Sequence, residues 1–165
     1  MARQSPAKVK VKEITQIAIA VNDLQTVAEN YWTILGIGPW DIYNWEFPRV
    51  YDRTYRGRKT WSREKIALAR VGNVELELVQ PLDGDSIYRD FIDERGEGIH
   101  HLQFKDDNLD EVVAVLRDQG FDCLQSGRFG DRGAYSYMDT KPLRAIWEPI
   151  REATDKAVGV VRYPA

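Results

Sequence analysis

The chain contains 2 histidines, and they are adjacent, His100 and His101, within the apolar stretch Ile99–Phe104. This stretch follows a Gly-rich turn and predicts a strand. Imidazole is a common ligand of divalent metal ions. Because alternate residues of a strand point to opposite faces, one histidine should face a cavity while the other packs. A metal site would then need further ligands from elsewhere in the chain.

The order of predicted elements occurs twice. Each half is expected to form a strand, a helix and three further strands. The first strand lies at 14–21, and its helix runs from a capping pair at 22–23 to Gly36. The second half begins at 99–104, and its helix ends at Gly120. A repeat of this length predicts an α+β fold of two βαβββ modules, related by a pseudo-twofold, that form a cupped mixed β-sheet with flanking helices.

The repeat sets the expected boundaries. We expect a flexible N-terminal lead at 1–12, a first module at 13–81, a linker with a short helix at 82–96, a second module at 97–150 and a tail at 151–165. The first module is longer than the second. Its excess is the polar, basic and aromatic stretch Phe47–Glu64, which we interpret as a long loop or an irregular hairpin.

Laying the halves on each other identifies equivalent positions. Gln16 on the first strand then corresponds to His101, and Glu77 corresponds to Glu148. Gln16 shares its strand face with small alanines, so this face should line a cavity. The same alternation places His101 on the cavity face and His100 on the packing face. The pseudo-twofold therefore predicts one site with four polar side chains.

These four side chains form an oxygen-rich ligand set of two carboxylates, one imidazole and one amide oxygen. Such a set leaves room for water or a substrate. We expect one divalent metal ion per chain, and the ligand types admit Zn, Ni, Co, Mn, Mg or Fe. The alternative is a hydrogen-bonded core histidine beside two solvated glutamates. The register favours the metal site because it puts polar residues at equivalent inward positions in both halves.

The duplicated pattern resembles the vicinal oxygen chelate superfamily, which includes glyoxalase I, methylmalonyl-CoA epimerase, extradiol dioxygenases and the bleomycin and fosfomycin resistance proteins. The resemblance rests on 14–24, 96–107 and 145–150 and covers about residues 14–150. The stretch Gly96–Phe104 is very similar to its counterpart in methylmalonyl-CoA epimerases. The resemblance implies the metal ligands Gln16, Glu77, His101 and Glu148.

The chain also departs from some relatives that the resemblance suggests. Epimerases usually have His and Gln where this chain has Gln16 and Glu77, a pair more similar to that of some glyoxalase I enzymes. Extradiol dioxygenases generally bind their metal with two His and one Glu, whereas His101 is the one histidine expected to face the cavity here. Epimerases carry a second acid/base glutamate on a middle strand, whereas 65–70 here holds no carboxylate.

We therefore expect a metal-dependent isomerase, epimerase or lyase that polarises a carbonyl and moves the adjacent proton. Glu148 or Glu77 is the candidate base, because an enclosed cup raises a carboxyl pKa toward neutrality. The substrate would be a thioester, a glutathione adduct or a keto acid. The alternatives are a non-catalytic small-molecule binding protein of the same fold and an extradiol-type dioxygenase. The predicted substrate pocket comprises Tyr43, Trp45, Arg56, Gln103, Tyr135 and Tyr137.

Composition limits the partners and the compartment. The formal net charge of -3 does not favour nucleic acid. The single cysteine excludes an intrachain disulfide framework. No apolar run approaches the length of a membrane helix, and no secretory signal is apparent. We expect a cytoplasmic protein that binds neither nucleic acid nor membrane and forms a homodimer through sheet edges and an apolar seam.

Overall fold

The computed structural model describes residues 5–165, so part of the predicted N-terminal lead lies outside the described residues. The α+β architecture is confirmed: one mixed sheet carries three helices. The strands are β1 Gln16–Ala20, β2 Trp40–Trp45, β3 Val50–Tyr55, β4 Arg58–Lys59, β5 Ser62–Val71, β6 Val74–Gly84, β7 Gly98–Lys105, β8 Cys123–Phe129, β9 Gly133–Met138, β10 Ile146–Arg151 and β11 Val161–Tyr163. The helices are α1 Leu24–Leu35, α2 Ile87–Arg95 and α3 Leu109–Asp118, with a short 3-10 turn at Lys141–Leu143.

The two halves meet at the centre of the sheet. The strand order is β11-β2-β5-β6-β1-β7-β10-β9-β8-β3-β4, and β1 pairs antiparallel with β7. Gln16 lies opposite Gln103, and Ala18 lies opposite His101. A twofold that relates Gln16 to His101 exchanges these two pairs. The pairing is therefore consistent with the register expected from the repeat.

Each face of the sheet has its own apolar core. On one face, Leu24 and Ala28 of α1 pack with Ala67 and Leu78, all fully buried. Asp23 caps α1 by accepting a hydrogen bond from the Thr26 amide at 3.2 Å, an interaction that typically stabilises a helix by about 1 kcal/mol. The opposite, concave face carries α2 and a cluster rich in aromatic rings. The concave face holds the candidate site.

The stretch Phe47–Glu64 is not a loop: it contains the β3–β4 hairpin. The hairpin interpretation was correct, but the partner strand was not foreseen, because β3 pairs with β8 of the second half, with Val50 opposite Phe129. An irregularity between Tyr51 and Thr54 interrupts this pairing. Within it, Asp52 has a φ of 49°, and Arg53 is buried. The hairpin thus extends the sheet of the second half with strands from the first.

Arg53 is held by polar groups of the first half. Its guanidinium donates to Glu64 Oε2 at 2.8 Å, to the Trp45 carbonyl at 2.9 Å and to the Ser62 hydroxyl. Glu64 is 0% exposed. Burial raises the pKa of the Glu64 carboxyl, and the positive charge of Arg53 opposes this rise. The ion pair therefore neutralises two charges that would otherwise be buried alone.

The C-terminal tail is also part of the sheet. Its strand β11 pairs antiparallel with β2. Before it, Asp155 accepts a hydrogen bond from Arg49 at 2.8 Å, which ties the tail to the start of the β3–β4 hairpin. None of the helices in residues 5–165 has the length and apolar character required to cross a membrane.

Candidate functional site

Four adjacent central strands bring the four predicted ligands together. Gln16, Glu77, His101 and Glu148 come from β1, β6, β7 and β10, and all four are buried on the concave face. His101 Nε2 lies 3.2 Å from Glu148 Oε2, 3.4 Å from Gln16 Oε1 and 3.7 Å from Glu77 Oε2. One ring nitrogen therefore faces three oxygen atoms from three other strands.

Two further side chains fix the orientation of this set. Gln103 Nε2 donates to Gln16 Oε1 at 3.0 Å and to Glu148 Oε2 at 2.8 Å. Glu75 accepts from Gln16 Nε2 at 2.8 Å, so the Gln16 amide oxygen is turned toward His101. Glu148 is thus restrained by Gln103, whereas Glu77 approaches the set only through its 3.7 Å contact with His101.

The donor types and their spacing fit a divalent metal ion. Ligands about 2.1 Å from a metal lie about 3.0–3.4 Å apart when they are neighbours, close to the distances around His101 Nε2. Within residues 5–165, however, no three His, Cys, Asp or Glu side chains already have a geometry ready for a metal. The set needs its amide member, Gln16, and a small movement of Glu77 to close around an ion.

The carboxyl group of Glu77 has a strongly raised pKa. Burial raises the pKa of its carboxyl well above the ordinary value, and the nearby carboxylates of Glu148 and Glu75 act in the same direction. In the metal-free protein, Glu77 therefore carries a proton at pH values where a solvated glutamate is ionised. A cation beside it would stabilise the ionised form.

This shift predicts how the stability of the metal-free protein depends on pH. In the unfolded chain Glu77 ionises near its ordinary pKa of 4.5, so above that pH the folded state holds more protons than the unfolded state. The free energy of unfolding should then fall as pH rises, by up to about 1.4 kcal/mol per pH unit for one proton. Urea unfolding with a chelator present, between about pH 5 and 7, measures this slope.

Glu77→Gln is the matched comparison, because it keeps the shape of the side chain and removes the titration. The variant should show a smaller loss of stability with rising pH than the natural chain. Glu64 is unchanged in both proteins, so its own raised pKa contributes equally. Equal slopes in the two proteins would show that Glu77 is not the group responsible.

His100 is not on the packing face, so strand alternation gave the wrong orientation. The pairing of β7 with β1 shifts register between Ala18 and Ile19, because Ala18 pairs with His101 and Ile19 with Ile99. His100 is the extra residue of a β-bulge, and a bulge breaks the alternation of side chains. The His100 ring lies beside Tyr88 of α2, and its Nδ1 is 3.0 Å from His101 Nδ1. Burial lowers the pKa of His100 well below its ordinary value, with His101 acting in the same direction.

A cavity of about 220 Å³ lies over the ligand set. Gln16, Glu77, Gln103 and Glu148 line its polar part. Aromatic rings line much of the rest, beside aliphatic side chains of β5, β6 and β10: Tyr43, Trp45, Tyr88, Phe129, Tyr135 and Tyr137. The Trp45 ring is 5.0 Å from Phe129 and 6.1 Å from Tyr135, and Tyr135 is 5.4 Å from Tyr137, measured between ring centroids. The wall is thus a continuous row of rings beside a polar floor.

Gly127 allows this wall to form. It lies opposite Tyr135 in the β8–β9 pairing. A Cβ at Gly127 would approach the Tyr135 ring to 2.6–2.9 Å, closer than packed atoms tolerate. The Tyr135 hydroxyl is buried and has no hydrogen-bond partner among the described residues. It is a polar atom in an otherwise apolar wall.

The structure places five of the six predicted pocket residues around the cavity, but not Arg56. Its guanidinium lies outside, where it donates to Asp90 Oδ2 at 2.9 Å and to the Tyr55 hydroxyl at 3.2 Å. Arg56 follows the end of β3, and the hairpin carries it toward α2 rather than into the cup. The basic residues that do line the cavity are Arg49, Arg70 and Lys105, none of which was selected from the sequence.

The sequence also missed Tyr88, which lies in the short helix expected within 82–96. Nothing in the sequence indicates that α2 packs on the concave face. Tyr88 shares a short hydrogen bond with the hydroxyl of Tyr137. Burial raises the pKa of both phenols well above the ordinary value, so both remain neutral donors beside the ligand set.

Comparisons with known proteins agree with this architecture. An uncharacterized Bacillus subtilis protein, YqjC, is 27% identical over 124 residues, which are 75% of this chain and 77% of that protein. The Mycobacterium tuberculosis methylmalonyl-CoA epimerase has 24% identity and a TM-score of 0.63, covering 90% of this chain and 93% of its own.

A Streptomyces coelicolor methylmalonyl-CoA epimerase variant in complex with 2-nitronate-propionyl-CoA has 22% identity and a TM-score of 0.65, with 90% of this chain and 99% of that chain covered. At these identities the solved structures show a shared fold. The model of the Glyoxalase/Bleomycin resistance protein/Dioxygenase superfamily matches residues 15–137, most of the chain. The chain therefore belongs to the glyoxalase/bleomycin resistance protein/dioxygenase superfamily.

Proposed function

We propose that this protein is a metal-dependent isomerase, epimerase or lyase that moves a proton next to a carbonyl group. The observation that carries the proposal is the meeting of His101 Nε2 with Gln16, Glu77 and Glu148 at the floor of a cavity. Glu148 is held by a hydrogen bond from Gln103, whereas Glu77 is less restrained. Glu148 would therefore remain a ligand, and Glu77 could also act as a base. The fold shared with methylmalonyl-CoA epimerases supports the same class of chemistry.

Each residue of the site has its own proposed role. Gln16, His101, Glu148 and Glu77 would hold a divalent ion, which when bound supplies Lewis-acid polarisation of the substrate carbonyl. Gln103 keeps the Gln16 amide and the Glu148 carboxylate in place through its two hydrogen bonds. Glu77, the less restrained carboxylate, removes the proton from the carbon next to the carbonyl. In the metal-free protein burial raises the pKa of its carboxyl, and a bound cation would keep it ionised and able to accept the proton.

The part of β5 that lines the cavity carries no second acid/base residue of the kind used by epimerases. Glu64, at the start of that strand, forms an ion pair with Arg53 and does not line the cavity. Glu46 lies 3.6 Å from Arg63 and is also outside the cavity. The other carboxylates that line the cavity already have partners, because Glu75 accepts from Gln16, Glu152 pairs with Lys105 and Asp155 pairs with Arg49. One-base chemistry, in which Glu77 takes and returns the proton, is therefore the better fit.

The cavity supports a substrate with a small, flat or branched apolar group beside its carbonyl. Its volume of about 220 Å³ lies below the ~300–1,000 Å³ of sites that enclose a whole drug-sized ligand. At the mouth, Arg49 is paired with Asp155 and Lys105 with Glu152, so these cations are already neutralised. We propose that only the acyl part of a thioester, or a whole keto acid, enters the cavity.

Deuterium wash-in tests the proposed reaction. The metal-loaded protein is incubated in heavy water with thioesters, glutathione adducts and keto acids, and exchange at the carbon next to the carbonyl is followed by NMR. Exchange should occur with at least one class, and Glu77→Gln should slow it by about 10²–10⁴-fold, the usual contribution of a general base. Glu46→Gln, outside the cavity, is the control and should exchange at the natural rate.

Absence of exchange with every class would contradict the proposed reaction. Oxygen uptake by an iron-loaded protein would instead indicate a dioxygenase.

A non-catalytic binding protein is the second candidate, and the hydrogen bonds of Gln103 favour it. These bonds satisfy Gln16 and Glu148 without an ion, so the cup is already a closed polar floor under an aromatic wall. Such a protein would bind an apolar ligand, change Trp45 fluorescence and show no exchange. Ligand binding that is unaffected by a chelator would support this candidate.

A further inference from the structure

The two histidines are joined by a direct contact between their rings. The bulge in β7 turns His100 to the side of His101, and their Nδ1 atoms lie 3.0 Å apart. A hydrogen bond between two ring nitrogens needs one N–H donor and one lone pair as acceptor. The proton on His101 is therefore coupled to the proton on His100. One ring cannot change its tautomer without the other.

The surroundings of His100 select one of the two arrangements. Its Nε2 is buried and has no hydrogen-bond partner among the described residues. The ring packs on Tyr88 and Phe91, at centroid distances of 4.6 and 5.2 Å. An aromatic face is electron-rich, so it tolerates an N–H better than a second lone pair. His100 is thus expected to carry its proton on Nε2, which leaves Nδ1 as an acceptor.

This choice determines the state of His101. If His100 Nδ1 accepts, His101 must donate from its own Nδ1, and its Nε2 keeps the lone pair. His101 Nε2 is the atom that faces Glu148, Gln16 and Glu77. A histidine that binds a metal usually donates its other N–H to a partner that fixes the ring and the tautomer. Here the partner would be the preceding residue.

We propose that His100 is a positioning residue that accepts the Nδ1–H of His101 and keeps the His101 Nε2 lone pair directed at the ligand site. The proposal rests on the proposed metal site, because without an ion the oxygen atoms of Gln16 and Glu148 around His101 Nε2 can accept a hydrogen bond from an Nε2–H. It gives a chemical role to the first histidine of the His-His pair. That role depends on the bulge, since regular alternation would separate the two rings.

The first experiment uses the unmodified chain loaded with zinc. Long-range ¹H–¹⁵N correlation spectra distinguish the two neutral tautomers of each histidine. We expect His100 protonated at Nε2, with the Nδ1–H of His101 directed at His100 Nδ1. A proton on His100 Nδ1 would overturn the proposal. This measurement needs no variant to fold.

The second experiment changes the acceptor. His100→Phe keeps a planar ring and removes the acceptor nitrogen, so the Nδ1–H of His101 loses its partner and zinc affinity should fall by about 10–100-fold. His100→Asn places an acceptor oxygen close to the position of Nδ1 and should recover most of that affinity. Ile92→Val, which loosens the packing of α2 without changing an aromatic ring beside His100, should leave the zinc affinity unchanged.

The outcomes distinguish a failure of the proposed role of His100 from a failure of the proposed metal site. If His101→Ala still binds zinc as tightly as the natural chain, the proposed metal site is wrong. If His101→Ala loses zinc while His100→Phe keeps full affinity, only the role of His100 is wrong. Equal losses in His100→Phe and Ile92→Val would assign the effect to packing and overturn the positioning role.

Discussion

Replacing His101 with alanine is expected to remove the bound metal and the proton exchange together. His101 supplies the single nitrogen donor of the set, and its Nε2 is the atom about which the three oxygens are arranged. Loss of the hydrogen-bond partner of a metal ligand typically lowers metal affinity by about 10–100-fold. Loss of the ligand itself should therefore lower the affinity by more than about 100-fold. Elemental analysis and zinc titration of the purified variant measure this loss.

Ile99→Ser is the control for His101→Ala. Ile99 lies on the same strand and is 64% exposed, so its replacement should leave metal content and exchange rate unchanged. About one ion per chain should accompany both the natural protein and this control. Full metal content in His101→Ala would mean that the four side chains do not form the binding site.

Arg53→Met is expected to destabilise the protein far more than the replacement of a solvent-exposed arginine. The change leaves the Glu64 carboxylate, which is 0% exposed, without its 2.8 Å partner. Removing one member of a buried ion pair typically costs about 3–5 kcal/mol. For a domain of this size each kcal/mol lowers Tm by about 2–4 °C. Urea unfolding at neutral pH gives the free energy directly.

Two comparisons assign that loss to the buried charge. Replacing both residues, as Arg53→Met with Glu64→Leu, should recover most of the stability, since no charge then remains alone. Arg63→Met removes a guanidinium that is 49% exposed and 3.6 Å from Glu46, so it should cost less than about 1 kcal/mol. A similar loss in Arg63→Met and Arg53→Met would contradict the assignment.

The meeting of the four polar side chains could be predicted because the repeat constrains their positions twice. Gln16 and Glu77 were assigned by their position in the first half, and His101 and Glu148 by the same positions in the second. The structure brings these four together because β1 and β7 pair about the pseudo-twofold. Strand periodicity fixes which residues face inward, provided that the strand is regular.

The orientation of His100 could not be predicted for the same reason. Periodicity assumes an unbroken strand, and the bulge at His100 adds a residue that no local sequence feature marks. The strand that pairs with β3 could not be predicted either. Its residues indicate an extended segment, but pairing with β8 is a long-range choice that the local pattern of polar and apolar residues does not encode. Arg53 therefore looked like one of several basic surface residues, although it is buried.

The pairing of β3 with β8 has a consequence for synthesis on the ribosome. The hairpin emerges with the first half of the chain, yet its partner strand is translated only after α3. Until then the edge of β3 opposite β4 has no partner strand, and such an edge invites pairing with another chain. Contacts between distant segments also form slowly. Nascent chains stalled before Cys123 should therefore depend on chaperones more than the finished protein does.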